Sequence, residues 1–243
     1  MKKILISVSA IAIVAAIAIG ATVAYFSDTE TSAGNTFTAG AIDLTVDSTQ
    51  HYNGNVCALN DQEVYVWQGT DIYPVPGTLC DGTWTATDLG VQKFFNFSDL
   101  KPGDSGENTI SLHVNNNDAW LRLVIDDVTD NDNTLTEPEA SVDTDGLTSG
   151  ELRENLIFTV FADGNCDNIL NESDVELISA GTIDANGETW TLPTPVLGDQ
   201  TVCFGITWNL PTTVGNEVQN DSMSATMEFQ VEQYRNNPNP FQS

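Results

Sequence analysis

The stretch whose reading decides the fold is VCFGITWNL, residues 202–210. Val202, Phe204, Ile206, Trp208 and Leu210 fall on one face; Cys203, Gly205, Thr207 and Asn209 fall on the other. That is the period of two of a half-buried strand. The same alternation recurs in Ile42, Leu44 and Val46, in Ile110, Leu112 and Val114, and in the stripe Met223, Ala225, Met227, Phe229 and Val231. Residues 93–97, 120–128, 156–162, 175–179 and 189–192 read as further strands, and no stretch sustains a period of 3.6. About nine or ten antiparallel strands with polar connections predict an all-β fold, a jelly-roll-like two-sheet β-sandwich with loop insertions.

Turn chemistry separates the strands. Lys101-Pro102-Gly103-Asp104 puts Pro and Gly where a type II turn wants them. Asn186-Gly187 marks a hairpin candidate. The sandwich is expected over residues 41–233, with an aromatic, cysteine-bounded insertion at about 50–88 and an acidic one at about 126–150. Residues 234–243 read as a polar tail.

The chain opens on Met1-Lys2-Lys3 and a run of mostly apolar residues to Ala24. The run is long enough to span a bilayer and longer than the usual signal core of about 7–15 residues. Its end favours a cleaved signal. Val23 sits between the small Thr22 and Ala24, and the next charges are the acids Asp28 and Glu30, with no basic stop-transfer cluster. The expected cut lies between Ala24 and Tyr25, made by signal peptidase during export. An uncleaved membrane-spanning tether is the second reading; a retained pilin-type helix is a third, and the early glutamate such helices carry is missing.

Cleavage would leave 219 of the 243 residues, enough for a sizeable core. It would remove Lys2 and Lys3 and no acid, so five of the seven basic residues would face 35 acidic ones, a formal charge of −30. Such a surface repels nucleic acid and anionic membranes, which need basic patches. Membrane contact is expected only through the uncleaved precursor. The acidity suits high salt, bound calcium or plain solubility.

Four cysteines remain, Cys57, Cys80, Cys166 and Cys203. An even count in an exported chain favours disulfides, and no pair has the CxxC spacing of a zinc site. Three connectivities exist; pairing of neighbours, Cys57 with Cys80 and Cys166 with Cys203, is the preferred one.

Catalytic motifs are absent: there is no HExxH, nucleophile elbow or phosphate-binding glycine loop. The two histidines, His51 in a loop and His113 on the polar side of a strand, do not suggest a zinc centre. A non-enzyme is the reading. For calcium, the stretch from Asp163 to Asp174 puts Asp163, Asn165, Asp167, Asn171 and Asp174 at positions 1, 3, 5, 9 and 12 of an EF-hand-like loop. It departs from the pattern at Asn168, where Gly is expected, and at Asp174, where Glu is expected; an acidic solvated loop is the competing reading. The run from Asp130 to Glu139 is a weaker calcium candidate. Asn96, Asn171 and Asn220 lie in N-x-S/T sequons, which an Asn-rich chain also produces by chance.

Three segments together resemble the TasA/camelysin family, whose precursors carry a SipW-dependent type of signal peptide. They are GATVAYFSD at residues 20–28 with NTFTAGAIDL at 35–44, LKPGD at 100–104 followed by Asn115 to Asn117, and NEVQNDSM at 216–223 leading to Phe229 and Gln233. The resemblance implies a secreted subunit of a biofilm-matrix or pilus-like fibre, a head-to-tail homopolymer at the cell surface. It also implies that the freed N-terminal arm, residues 25–40, adds as a strand to the next subunit, with Tyr25, Phe26, Ala33 and Phe37 as its apolar anchors. Some members are catalogued as metallopeptidases, whose zinc constellation is not visible here. A monomeric calcium- or glycan-binding surface module is the alternative.

Overall fold

The computed structural model describes residues 27–32, 42–147 and 149–242, the first six by backbone alone. Twelve strands among them form two antiparallel sheets. The smaller has the order β1 (Ser27–Ser32), β12 (Asp221–Gln233), β7 (Ala119–Asp132), β10 (Glu188–Thr191). The larger runs β4 (Tyr65–Gln68), β3 (Asn55–Leu59), β2 (Asp43–Tyr52), β6 (Ser105–Asn115), β11 (Gln200–Asn209), β8 (Ile157–Asp163), β9 (Val175–Gly181), with β5 (Trp84–Thr87) laid against β2. The expected all-β sandwich is what the chain forms. No helix among the described residues is long and apolar enough to cross a membrane.

The inner faces follow from the alternation. Leu44 and Val46, Ile110, Leu112 and Val114, Leu121 and Leu123, Phe204 and Ile206, and Phe229 and Val231 are all buried in one core between the sheets. Lys101-Pro102-Gly103-Asp104 forms the expected turn: Gly103 has φ +101°, and the Asp104 amide donates to the Lys101 carbonyl at 2.9 Å. Gly103 and Leu210 then pin this turn to the end of β11 through two backbone bonds, from Gly103 N to Leu210 O and from Leu210 N to Asp104 O.

The structure differs from the sequence reading at several places. Residues 93–97 are not a strand. β2 runs on to Tyr52 and turns two polar side chains, Ser48 and Gln50, into the core beside Asn108 of β6. The amides of Gln50 and Asn108 both donate to the Phe94 carbonyl, at 2.8 and 2.9 Å. A buried carbonyl engaged in this way is taken out of any ladder, so residues 93–97 plug the core irregularly, with the Phe94 ring against Phe229 and Trp84. The expected insertion at 50–88 carries β3, β4 and β5, which extend the larger sheet. The expected acidic loop at 126–150 starts later, because β7 continues to Asp132. Asn186-Gly187 does not close a hairpin: β9 and β10 lie in different sheets. The expected polar tail packs back on the sandwich over residues 234–242. Asn237 is buried, its carbonyl accepts the Trp120 indole N–H at 3.1 Å, and Phe241 stacks under Arg122.

The polar face expected on β11 is covered at Cys203 and Gly205, while Thr207 is half-buried and Asn209 exposed. Gly205 is buried because Phe161, its register partner on β8, lies across it, and Cys203 is buried where it bonds to Cys166 of the loop after β8. A Cβ at residue 205 would stand 2.1 Å from the Phe161 ring. We therefore expect Gly205→Val to destabilise the fold by about 1–3 kcal/mol through overpacking. Urea denaturation measures it; an unchanged midpoint would mean that the Phe161 ring yields freely.

Candidate assembly edge and carboxylate clusters

β1 is an edge strand. It lies antiparallel on β12, from Ser27 opposite Glu232 to Ser32 opposite Met227. On its other side β12 pairs with β7 along almost its whole length, with one bulge between Ser224 and Thr226. Without β1, the backbone donors and acceptors along residues 227–232 of β12 would form an open sheet edge. The expected cleavage residues Ala24 and Tyr25, and the expected anchors Tyr25, Phe26, Ala33 and Phe37, lie outside the described residues.

The turn motif at 100–104 owes its aspartate to a clamp. Asp104 Oδ2 accepts from the Tyr52 hydroxyl at 2.8 Å and the Lys101 amide at 2.7 Å, and Oδ1 accepts from the Asn53 side-chain amide at 2.8 Å. Tyr52 packs among Phe97, Trp67, Tyr73 and Trp208. Burial, and then the bond to Asp104, push its phenol above the ordinary tyrosine range.

Both disulfides form with the expected pairing, Cys57 to Cys80 and Cys166 to Cys203. The second ties the loop after β8 to the outer face of β11. His51 is not in a loop; it sits on β2, with Nδ1 2.6 Å from Glu107 Oε1. His113 Nε2 lies 2.6 Å from Asp47 Oδ2, and its Nδ1 is 2.9 Å from Thr201 Oγ1. His51 stands six positions along β2 from Thr45, the register partner of His113, which puts the two rings on the order of 20 Å apart. Each histidine meets one carboxylate, and neither joins a group of three metal-ligating atoms among the described residues.

In the EF-hand-like stretch, the carboxylates serve the backbone of their own loop. Asp163 Oδ1 accepts from the amides of Asn165 and Cys166 at 3.1 and 2.8 Å, and Oδ2 accepts from Asn168 at 2.6 Å. Asp174 accepts from Gly164 and Asn171, at 3.0 and 2.8 Å. Asp167 accepts from Ile169 at 2.9 Å and from the Asn165 side chain at 2.8 Å. Asp163, Asn165, Asp167 and Asp174 thus shape a turn, and the groups of three converging carboxylates lie elsewhere.

Those groups are Asp132, Glu139 and Asp221, and next to them Asp143, Asp145 and Glu151; within each, one oxygen per residue lies within 4.8 Å of the other two. Asp132 ends β7 and Asp221 begins β12, opposite each other in register. Glu139 enters from the 3-10 turn Glu139–Ser141, and Glu151 precedes the one-turn helix Leu152–Asn155. Asp221 Oδ2 accepts from the amides of Glu151 and Leu152, at 2.6 and 3.1 Å. Burial first, then Asp221, Asp143, Asp145 and Asp132, push Glu151 up to about 7. Burial also lifts Asp221 to about 6, against the two amides and with help from Glu139 and Asp132. The weaker calcium stretch, residues 130–139, supplied two of these residues. The third lies 82 positions beyond Glu139, a separation no local motif displays.

No curated protein and no solved structure matches the chain. Residues 1–59 match the family model described as camelysin metallo-endopeptidase, in keeping with the TasA/camelysin resemblance carried by residues 20–44.

Proposed function

We propose that the chain is a secreted structural subunit of an extracellular fibre, and that its N-terminal arm pairs with β12 of the next copy. The observation that carries this reading is the place of β1, at the edge of the smaller sheet and on one neighbour, β12. An antiparallel ladder of backbone hydrogen bonds is the same whether the strand comes from its own chain or from another. Exchange between copies gives a head-to-tail contact that does not close, and hence a filament. The two disulfides fit an oxidising, extracellular setting. Export would proceed through the apolar segment before Tyr25, with signal peptidase cutting after Ala24.

The endopeptidase in the matched family's description is the other reading. Its minimum demonstration is chelator-sensitive hydrolysis of casein. The converging groups among the described residues are carboxylates without a histidine, which favours the structural reading.

The test compares protein beginning at Tyr25 with protein beginning at Ala39, by negative-stain electron microscopy. Filaments are expected from the first and only monomers from the second. Equal assembly by both would remove the arm from the mechanism.

A further inference from the structure

We infer that Asp132, Glu139 and Asp221 form a calcium site that ties the loop at 133–150 to the β7–β12 ladder. The first support is desolvated, unpartnered charge. Glu139 is fully buried; its Oε2 accepts from the Thr136 amide at 2.9 Å, while Oε1 has no hydrogen-bond partner. Both oxygens of Asp132 and Oδ1 of Asp221 are likewise buried and unpartnered. A buried carboxylate oxygen without a donor is strongly unfavourable, and three such groups facing one another repel as well. No ion pair among the described residues reaches this trio. The nearby Arg153 is engaged elsewhere, with Nε 3.6 Å from Asp130 and Nη2 3.2 Å from Glu154.

The second support is geometry. Calcium–oxygen bonds are about 2.3–2.6 Å, so two ligands on opposite sides of one ion stand about 4.8 Å apart. One carboxylate oxygen from each of the three lies within that distance of the other two. Three carboxylates, some bidentate, supply three to six of the roughly six to eight oxygens calcium takes, with carbonyls and water completing the shell. Magnesium demands shorter bonds and stricter octahedral order, and zinc prefers nitrogen and sulfur, which this cluster lacks. The adjoining Asp143, Asp145 and Glu151 deepen the negative field.

The site joins segments distant in sequence. Asp132 and Asp221 close the β7–β12 ladder at the end away from β1, while Glu139 belongs to the long loop between β7 and β8. An ion there fixes the loop to the strand that accepts the arm. This inference does not rest on the fibre reading, since it concerns the single chain.

The test is thermal denaturation of the purified protein in chelator, in calcium, and in magnesium or sodium chloride of equal ionic strength. Calcium at about a hundred times its Kd should raise the midpoint by about 5–10 °C, and the other salts much less. Glu139→Gln and Asp132→Asn should abolish the calcium increment. In chelator each should melt at or above the wild type, because a repelling charge is gone. Asp167→Asn, in the EF-hand-like loop, should keep the full increment. Hydrogen exchange of the wild type needs no variant: calcium should slow amides at 130–152 and near 221 selectively. Three results would overturn the assignment: no calcium increment, an increment lost only in Asp167→Asn, or an equal increment in every variant, which marks diffuse screening.

Discussion

Phe229→Ala lowers stability by about 3–5 kcal/mol, the range for truncating a large aromatic in a packed core. Phe229 is fully buried on β12, where it touches both halves of the core: the Phe204 ring of the opposite sheet at 5.5 Å and the Phe94 ring at 5.9 Å, edge-on. Two features keep the site from collapsing around the lost ring. Phe94 is anchored through its carbonyl by Gln50 and Asn108, and Phe204 lies on a strand paired on both sides. A cavity whose walls cannot move inward loses transfer energy and contacts together. Denaturation in urea measures the loss. A drop below about 1.5 kcal/mol would show that residues 93–97 relax into the gap, and that the plug is softer than its hydrogen bonds imply.

The second large effect is that of the disulfides. Loop-closure entropy assigns about 4 kcal/mol to Cys166–Cys203, which spans 37 residues, and slightly less to Cys57–Cys80, which spans 23. The entropic terms are nearly equal, yet the consequences should differ. Cys57–Cys80 staples the β3–β4 extension at the far edge of the larger sheet, away from β8 and β9. Cys203 lies in the middle of the larger sheet, bonded to the loop whose Asn168 comes over Gly205 beside the Phe161 ring, so Cys166→Ala/Cys203→Ala also frees that loop. The expected result is a loss of about 2–5 kcal/mol for either double variant. Only the second should expose the 164–174 loop to protease while the body stays folded. Equal protease resistance of that loop in the variant and the wild type would show that Asp163 and Asp174 hold the loop without the bridge.

How much of this was legible in the sequence depends on whether a feature is local. β6, β11 and β12 announce themselves by alternation, and the turn at 101–104 by Pro and Gly at fixed offsets. Ser48 and Gln50 hide the end of β2, because polar residues at inward positions look like a loop until Phe94 supplies the acceptor for Gln50 and for Asn108 of β6, which in turn donates to Ser48. The EF-hand-like stretch shows the opposite case. Oxygens spaced along one segment cap that segment's own amides, whereas the carboxylates that converge come from β7, a loop and β12. Their meeting depends on the register of Asp132 against Asp221, which a single chain of letters does not display. Phe161 was missed for a related reason. An outward aromatic on a strand reads as exposed, and the disulfide that brings the neighbouring loop to the same face is long-range.

The unequal lengths of the two ladders on β12 bear on mechanics. β1 meets β12 over six residues, while β7 meets it over twelve. In the proposed filament, tension pulling an arm along its own axis loads the short ladder in shear, so its bonds share the force instead of parting singly. The longer ladder carries the same load with twice the bonds, and calcium at Asp132 and Asp221 would lock its far end. A stretched fibre should therefore fail between subunits, leaving each sandwich folded and able to reattach.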